Sequence, residues 1–189
     1  MNLPNKITLI RIAMIPVFVA VFYITAIPHN FLISAIIFAV AAFTDFLDGY
    51  IARKYNLVTD MGKFLDPIAD KVLVLTALVL MLTDVGGGML PAVFGGISVA
   101  LVITRELIVA SLRMVAASKQ VVIAADKLGK IKTVLQDICI FVLIFAFDFS
   151  GTAHTVLYLT GIVVFALSMI MTVVSGVSYV YKNRKAFLD

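Results

Sequence analysis

The chain has one cysteine, Cys139, and two histidines in 189 residues. A lone thiol in an apolar run excludes a disulfide framework or a thiolate metal site within one chain, so Cys139 is filler in a core or against lipid. Charge is scarce as well, since Asp, Glu, Lys and Arg make up only 14% of the residues. With 62% hydrophobic residues and a mean hydropathy of +1.12, the composition lies outside the range of soluble globular domains and describes an all-α integral membrane protein. The first apolar run, residues 7–27, is long enough to span and is followed by no small-residue cleavage site, so it is expected to be a span rather than a signal peptide.

Apolar runs separated by polar or Gly/Pro breaks predict six transmembrane helices near 7–27, 32–53, 64–83, 90–116, 130–148 and 155–181, forming a single domain over 1–189. The breaks at 28–30, 84–88 and 148–154 lack Lys and Arg, whereas the other loops and both termini are basic. All fifteen Lys and Arg residues then lie toward one face, which puts both termini and the loops near 54–63 and 117–129 in the cytoplasm. The net charge of +4 therefore reports topology and attraction to anionic lipid, not nucleic-acid binding. No internal repeat or low-complexity segment stands out.

Against this background four aspartates, Asp45, Asp48, Asp66 and Asp70, fall inside predicted spans, where a carboxylate is costly unless it binds, pairs or reacts. The second and third spans form a hairpin about Leu57 and Val58, so Asp45 and Asp70 share one depth and Asp48 and Asp66 another. Asp45 lies roughly 12 Å inward of Arg53 at 1.5 Å per residue, in the cytoplasmic half of the bilayer. Separations of three, four and seven residues put Asp45, Asp48, Gly49 and Ala52 on one helical face, and Asp66 and Asp70 are four apart. Converging carboxylates in low dielectric repel unless a cation holds them ionised, and two divalent ions neutralise four. Oxygen donors with no His or Cys nearby favour Mg²⁺, with Mn²⁺ or Ca²⁺ as other hard ions, and paired ions clamp a transferring phosphoryl group. Gly49 and Ala52 leave room for a diphosphate and a base, and Arg53 can meet phosphate from the cytoplasmic side. One structural alternative has the acids paired with Lys71 and Arg105, with the small residues serving helix packing. A second is a divalent-cation transporter, against which stands the absence of acids leading to the outer face.

The spacing Asp45-x2-Asp48-Gly49-x2-Ala52-Arg53-x8-Gly62-x3-Asp66-x3-Asp70 resembles the signature of the CDP-alcohol phosphotransferase family at all eight defined positions. The resemblance implies that Asp45, Asp48 and Asp66, with Asp70 in part, hold two divalent cations on the CDP diphosphate. It also implies that Asp70 is the general base for an alcohol that attacks the lipid-bearing phosphorus and expels CMP. Outside the signature, Arg105, Arg113, Lys130 and Lys132 suit an acceptor carrying a phosphate, although Lys119 and Lys127, and to a lesser degree Lys130 and Lys132, also fit interfacial snorkelling. Glu106, adjacent to Arg105, is expected to point elsewhere. The Asn5-x2-Thr8-x2-Arg11 and Thr59-Asp60-x-Gly62-Lys63 stretches resemble the bacterial branch of the family. That likeness implies CDP-diacylglycerol and sn-glycerol 3-phosphate as substrates, a homodimer, and a multi-pass protein of the bacterial cytoplasmic membrane whose active site faces the cytoplasm. Serine or inositol phosphate are the alternative acceptors. Asn5, Thr8, Gly49, Arg53, Thr59 and Gly62 are the expected CDP-lipid contacts, while helix capping explains Asn5 and Thr8 equally well.

Overall fold

A computed structural model describes residues 2–55, 59–119 and 127–184. It consists of six α-helices: α1 (Leu3–Tyr23), α2 (Asn30–Lys54), α3 (Asp60–Leu80), α4 (Ala92–Ser118), α5 (Lys127–Ala146) and α6 (Gly151–Asn183). One 3₁₀ turn, Val85–Gly87, lies between α3 and α4, and no strand occurs among the described residues. Every helix boundary falls within four residues of the expected span, because the punctuation is local and strong. After α1 the chain meets Pro28, and His29 takes a left-handed conformation (φ 56°) before α2. Asn30 Nδ2 then donates back to the Phe22 carbonyl at 3.1 Å and closes that corner. Thr59 caps α3, its Oγ1 accepting from Gly62 N at 3.0 Å.

Helices α1, α2, α4 and α6 each contain a stretch long and apolar enough to cross a membrane, so the chain is a multi-pass membrane protein. The remaining two, α3 and α5, are of spanning length but carry Asp66, Asp70 and Lys71, and Lys130, Lys132 and Asp137, respectively. The polar side chains among these are largely drawn inward: Lys132 is buried and Asp70 and Lys71 are half-buried. Outward faces are apolar instead, with Phe46, Val93, Leu107, Met114 and Val177 among the most exposed residues. Such an outer surface suits lipid.

The helices alternate in direction, which brings the starts of α1, α3 and α5 and the ends of α2, α4 and α6 to one end of the bundle. That end is polar. The other end and the middle are filled by aromatic and aliphatic side chains: Phe18, Phe22, Phe31 and Phe38 pack on Leu73, Leu78, Met81 and Leu143. Phe22 and Phe31 meet edge to face at 5.6 Å between ring centroids. The α5–α6 pair makes the most extensive contact. Gly161 permits it, since a Cβ there would lie 2.6 Å from Leu143 Cδ2. At the apolar end His29 Nδ1 and Asp148 Oδ2 lie 2.8 Å apart, tying the α1–α2 corner to the α5–α6 corner.

Candidate active site

The polar end holds two clusters of opposite sign. In the first, α1 lays Asn5, Thr8 and Arg11 against α2 and α3. Arg11 is fully buried; its Nη1 donates to Asp45 Oδ1 at 2.7 Å, its Nη2 to Asp48 Oδ2 at 2.5 Å and its Nε to Thr44 Oγ1 at 3.2 Å. Thr8 Oγ1 lies 2.6 Å from Asp66 Oδ1 and 3.4 Å from Asp48 Oδ2, so these two acids stand at one level, bridged by a single hydroxyl. Three carboxylates against one guanidinium leave a formal surplus of two negative charges. At the rim, Asn5 Oδ1 accepts from Thr59 Oγ1 at 3.0 Å. Gly62 packs directly on this pair, and a Cβ there would come within 2.9 Å of Asn5 Oδ1. Neither Asn5 nor Thr8 caps α1, whose N-cap is Asn2. Gly49 is half-buried on α2. The Arg53 side chain, like residues 56–58 around which the hairpin was expected to turn, lies outside what is described.

The second cluster joins α3, α4, α5 and α6. Asp70, Lys71, Arg105, Glu106, Arg113 and Lys130 line a cavity of about 210 Å³ together with Pro67, Gly129, Thr133 and Tyr179. Four cationic side chains against two acidic ones give this cavity a formal surplus of two positive charges. Arg113 Nε donates to Tyr179 Oη at 3.3 Å, and its guanidinium lies 5.6 Å from the centre of the same ring. Arg105 Nη2 donates to Ser175 Oγ at 3.1 Å. The expectation that Glu106 points away from Arg105 is corrected: Glu106 Oε1 accepts from Arg105 Nη1 at 2.8 Å and from Lys132 Nζ at 2.7 Å. Adjacent residues leave a helix in different directions, but the long arginine swings round to a carboxylate already anchored by Lys132 across the helix interface. Lys132 accordingly points inward, to a smaller recess of about 30 Å³ that it lines with Asp70, Lys71, Glu106, Thr133 and Gln136. Asp70 lines both spaces.

Among the described residues no three carboxylate, imidazole or thiol groups converge closely enough to hold a metal ion. The donors themselves are nonetheless carboxylate oxygens, the chemistry that Mg²⁺ and Mn²⁺ take, and Arg11 occupies two of them as an internal cation.

Over residues 1–178 the sequence matches the CDP-alcohol phosphatidyltransferase family. The chain belongs to this family. Its relatives include proteins named CDP-diacylglycerol–glycerol-3-phosphate 3-phosphatidyltransferase. The one from Bacillus subtilis is 42% identical over 98% of this chain and 96% of its own length. That of Rickettsia bellii is 38% identical (98% and 97%) and that of Salmonella paratyphi A 36% identical (100% and 98%).

In this CDP-alcohol phosphatidyltransferase the partner of Asp45 and Asp48 is Arg11, not Lys71 or Arg105 as the ion-pair alternative has it. Arg11 was missing from the expected site, although an arginine about two turns into an apolar helix and in step with Asn5 and Thr8 already demands an anion. A fifth acid was also missing. Asp137 on α5 is half-buried within electrostatic reach of Asp70 and Asp45, and its Oδ1 is buried with no hydrogen-bond partner among the described residues. The signal for it was faint: one acid two residues before Cys139 in an apolar run.

Proposed function

We propose that this chain transfers the phosphatidyl group of CDP-diacylglycerol to sn-glycerol 3-phosphate, giving phosphatidylglycerophosphate and CMP. The observation that carries this reading is the 210 Å³ cavity, in which Asp70 shares a wall with Arg105, Arg113 and Lys130. A phosphate monoester brings close to two negative charges near neutral pH, the complement of the cavity's surplus of two positive ones. Serine, with no phosphate, would leave that surplus unanswered. The relatives' names agree with this acceptor.

Arg105, Arg113 and Lys130 bind the acceptor phosphate, and Lys132 holds Glu106 and with it the Arg105 fork. The acceptor hydroxyl oxygen attacks the lipid-bearing phosphorus; the new O–P bond forms as the bond to the CMP oxygen breaks, CMP leaves with that electron pair, and Asp70 takes the hydroxyl proton. Asn5, Thr8, Gly49, Arg53, Thr59 and Gly62 border the CDP side, where Thr8 also orients Asp66. Asp45, Asp48, Asp66 and Asp70 would hold two divalent cations, Mg²⁺ or Mn²⁺, which when bound polarise the phosphate and stabilise the leaving charge. All six helices act as one transmembrane domain over 1–189, with both termini and the active site toward the cytoplasm of a bacterial cell membrane, and the protein works as a homodimer. Purified protein given CDP-diacylglycerol, Mg²⁺ and labelled glycerol 3-phosphate should release CMP and label the lipid. No release above a metal-free control, or equal release with serine or inositol phosphate, would overturn the assignment.

A further inference from the structure

Gln136 on α5 is 1% exposed, yet neither its Oε1 nor its Nε2 has a hydrogen-bond partner among the described residues. An amide buried in an apolar helix with both ends unanswered costs about 1–3 kcal/mol relative to a satisfied one, so such a group marks a place where something else completes the bonding. It borders the 30 Å³ recess beside Asp70. That volume holds one hydroxyl or one water and excludes a phosphate. The larger cavity, with room for the phosphate, shares Asp70, Lys71, Glu106 and Thr133 with the recess, so the two spaces adjoin. The other polar heads in the recess are charged, as Asp70, Lys71, Glu106 and Lys132 are, or already engaged, as Thr133 is, whose Oγ1 donates to the Gly129 carbonyl at 3.1 Å. Of these groups Gln136 offers a neutral donor and a neutral acceptor that are both unengaged, which is the complement of an alcohol hydroxyl.

We propose that Gln136 is a specificity residue that binds a non-reacting hydroxyl of the acceptor, next to the one that attacks. This rests on the reading of the 210 Å³ cavity as the acceptor-phosphate site. With the phosphate on Arg105, Arg113 and Lys130 and the attacking hydroxyl at Asp70, the hydroxyl on the adjacent carbon enters the recess and both gives and receives a hydrogen bond at the Gln136 amide. An acceptor lacking it strands the amide, and a site built around a hydroxyl discriminates against its absence more strongly than an apolar pocket discriminates against an extra methylene.

The test compares glycerol 3-phosphate with 3-hydroxypropyl phosphate, which keeps the phosphate and the primary hydroxyl and lacks the middle one. Turnover is followed as CMP release from CDP-diacylglycerol micelles with Mg²⁺. The full-length protein should prefer glycerol 3-phosphate by about 10- to 100-fold in kcat/KM, the value of one buried hydrogen-bonded hydroxyl. In Gln136→Leu that preference should fall to within about threefold, because the isosteric apolar group leaves nothing to be stranded. Should Gln136→Leu fail to assemble, Gln136→Asn, which withdraws the amide by one methylene, is read the same way. Equal use of both acceptors by the unaltered protein, or an unchanged preference in the variant, overturns the inference and leaves the transferase reading intact. Turnover of neither acceptor by the unaltered protein overturns the transferase reading itself.

Discussion

The two polar clusters at one end of this bundle are built from similar side chains and handle charge in opposite ways. Around α1, α2 and α3 the acids outnumber their cation and are hydrogen-bonded inward by Arg11 and Thr8. Around α4, α5 and α6 the cations outnumber the acids and surround open space. The first supplies carboxylate oxygens, the donor type that small hard cations take, and the second carries the charge that complements the proposed acceptor's phosphate. Asp70, on the wall of the cationic cavity, belongs to the acidic signature by sequence and to the other cluster by position, which is where the proposed general base would stand.

The sharpest way to break this comparison is Asp70→Asn. If Asp70 is the junction, turnover should fall by about 10²- to 10⁴-fold, the range for a lost general base, while binding of CDP-lipid, measured by retention of radiolabelled lipid, largely survives. Full activity would refute the role. Next is Arg11→Ala, which strands Asp45 and Asp48 without their buried partner and should destabilise the protein by about 3–5 kcal/mol. Raising Mg²⁺ in a thermal-unfolding series should recover part of that loss in the variant and little in the parent; identical Mg²⁺ responses would mean that Arg11 and cations do not share these oxygens. On the cationic side, Arg105→Ala removes charged hydrogen bonds and should lower kcat/KM for the acceptor by about 10- to 100-fold with the CDP-lipid KM almost unmoved. An effect on the CDP-lipid alone would count against acceptor binding. The smallest effect is far from either cluster: Gly161→Ala overpacks α6 on Leu143 and should cost roughly 1–3 kcal/mol in unfolding assays without altering acceptor preference.

Helix positions and the four aspartates were legible in the sequence because their signals are local. Apolar runs broken by Pro28, Gly87, Gly88 and Pro91 mark ends, and steps of three and four put acids on one face. The grouping of Arg105, Arg113 and Lys130 was legible too, since arginine in an apolar helix must meet an anion or a cavity. What was not legible depends on contacts between helices: Arg11 meets partners 34 and 37 residues away, and no periodicity reports which helix lies opposite. Nor did residue type reveal that Lys132 is spent on Glu106 while Lys130 faces the cavity, because two residues apart on one helix point in unrelated directions. Nothing in the sequence singles out Gln136; only its burial with both amide atoms unanswered makes it notable.

The Arg11 fork also bears on how the protein is made. Helix α1 leaves the ribosome before α2, so the guanidinium is already at the membrane when Asp45 and Asp48 arrive. Two carboxylates that would be expensive to bring into the bilayer bare can be hydrogen-bonded and half-neutralised by a side chain of the same polypeptide, with no divalent ion required at that moment. On the proposed reading of these acids as cation ligands, assembly can thereby precede loading.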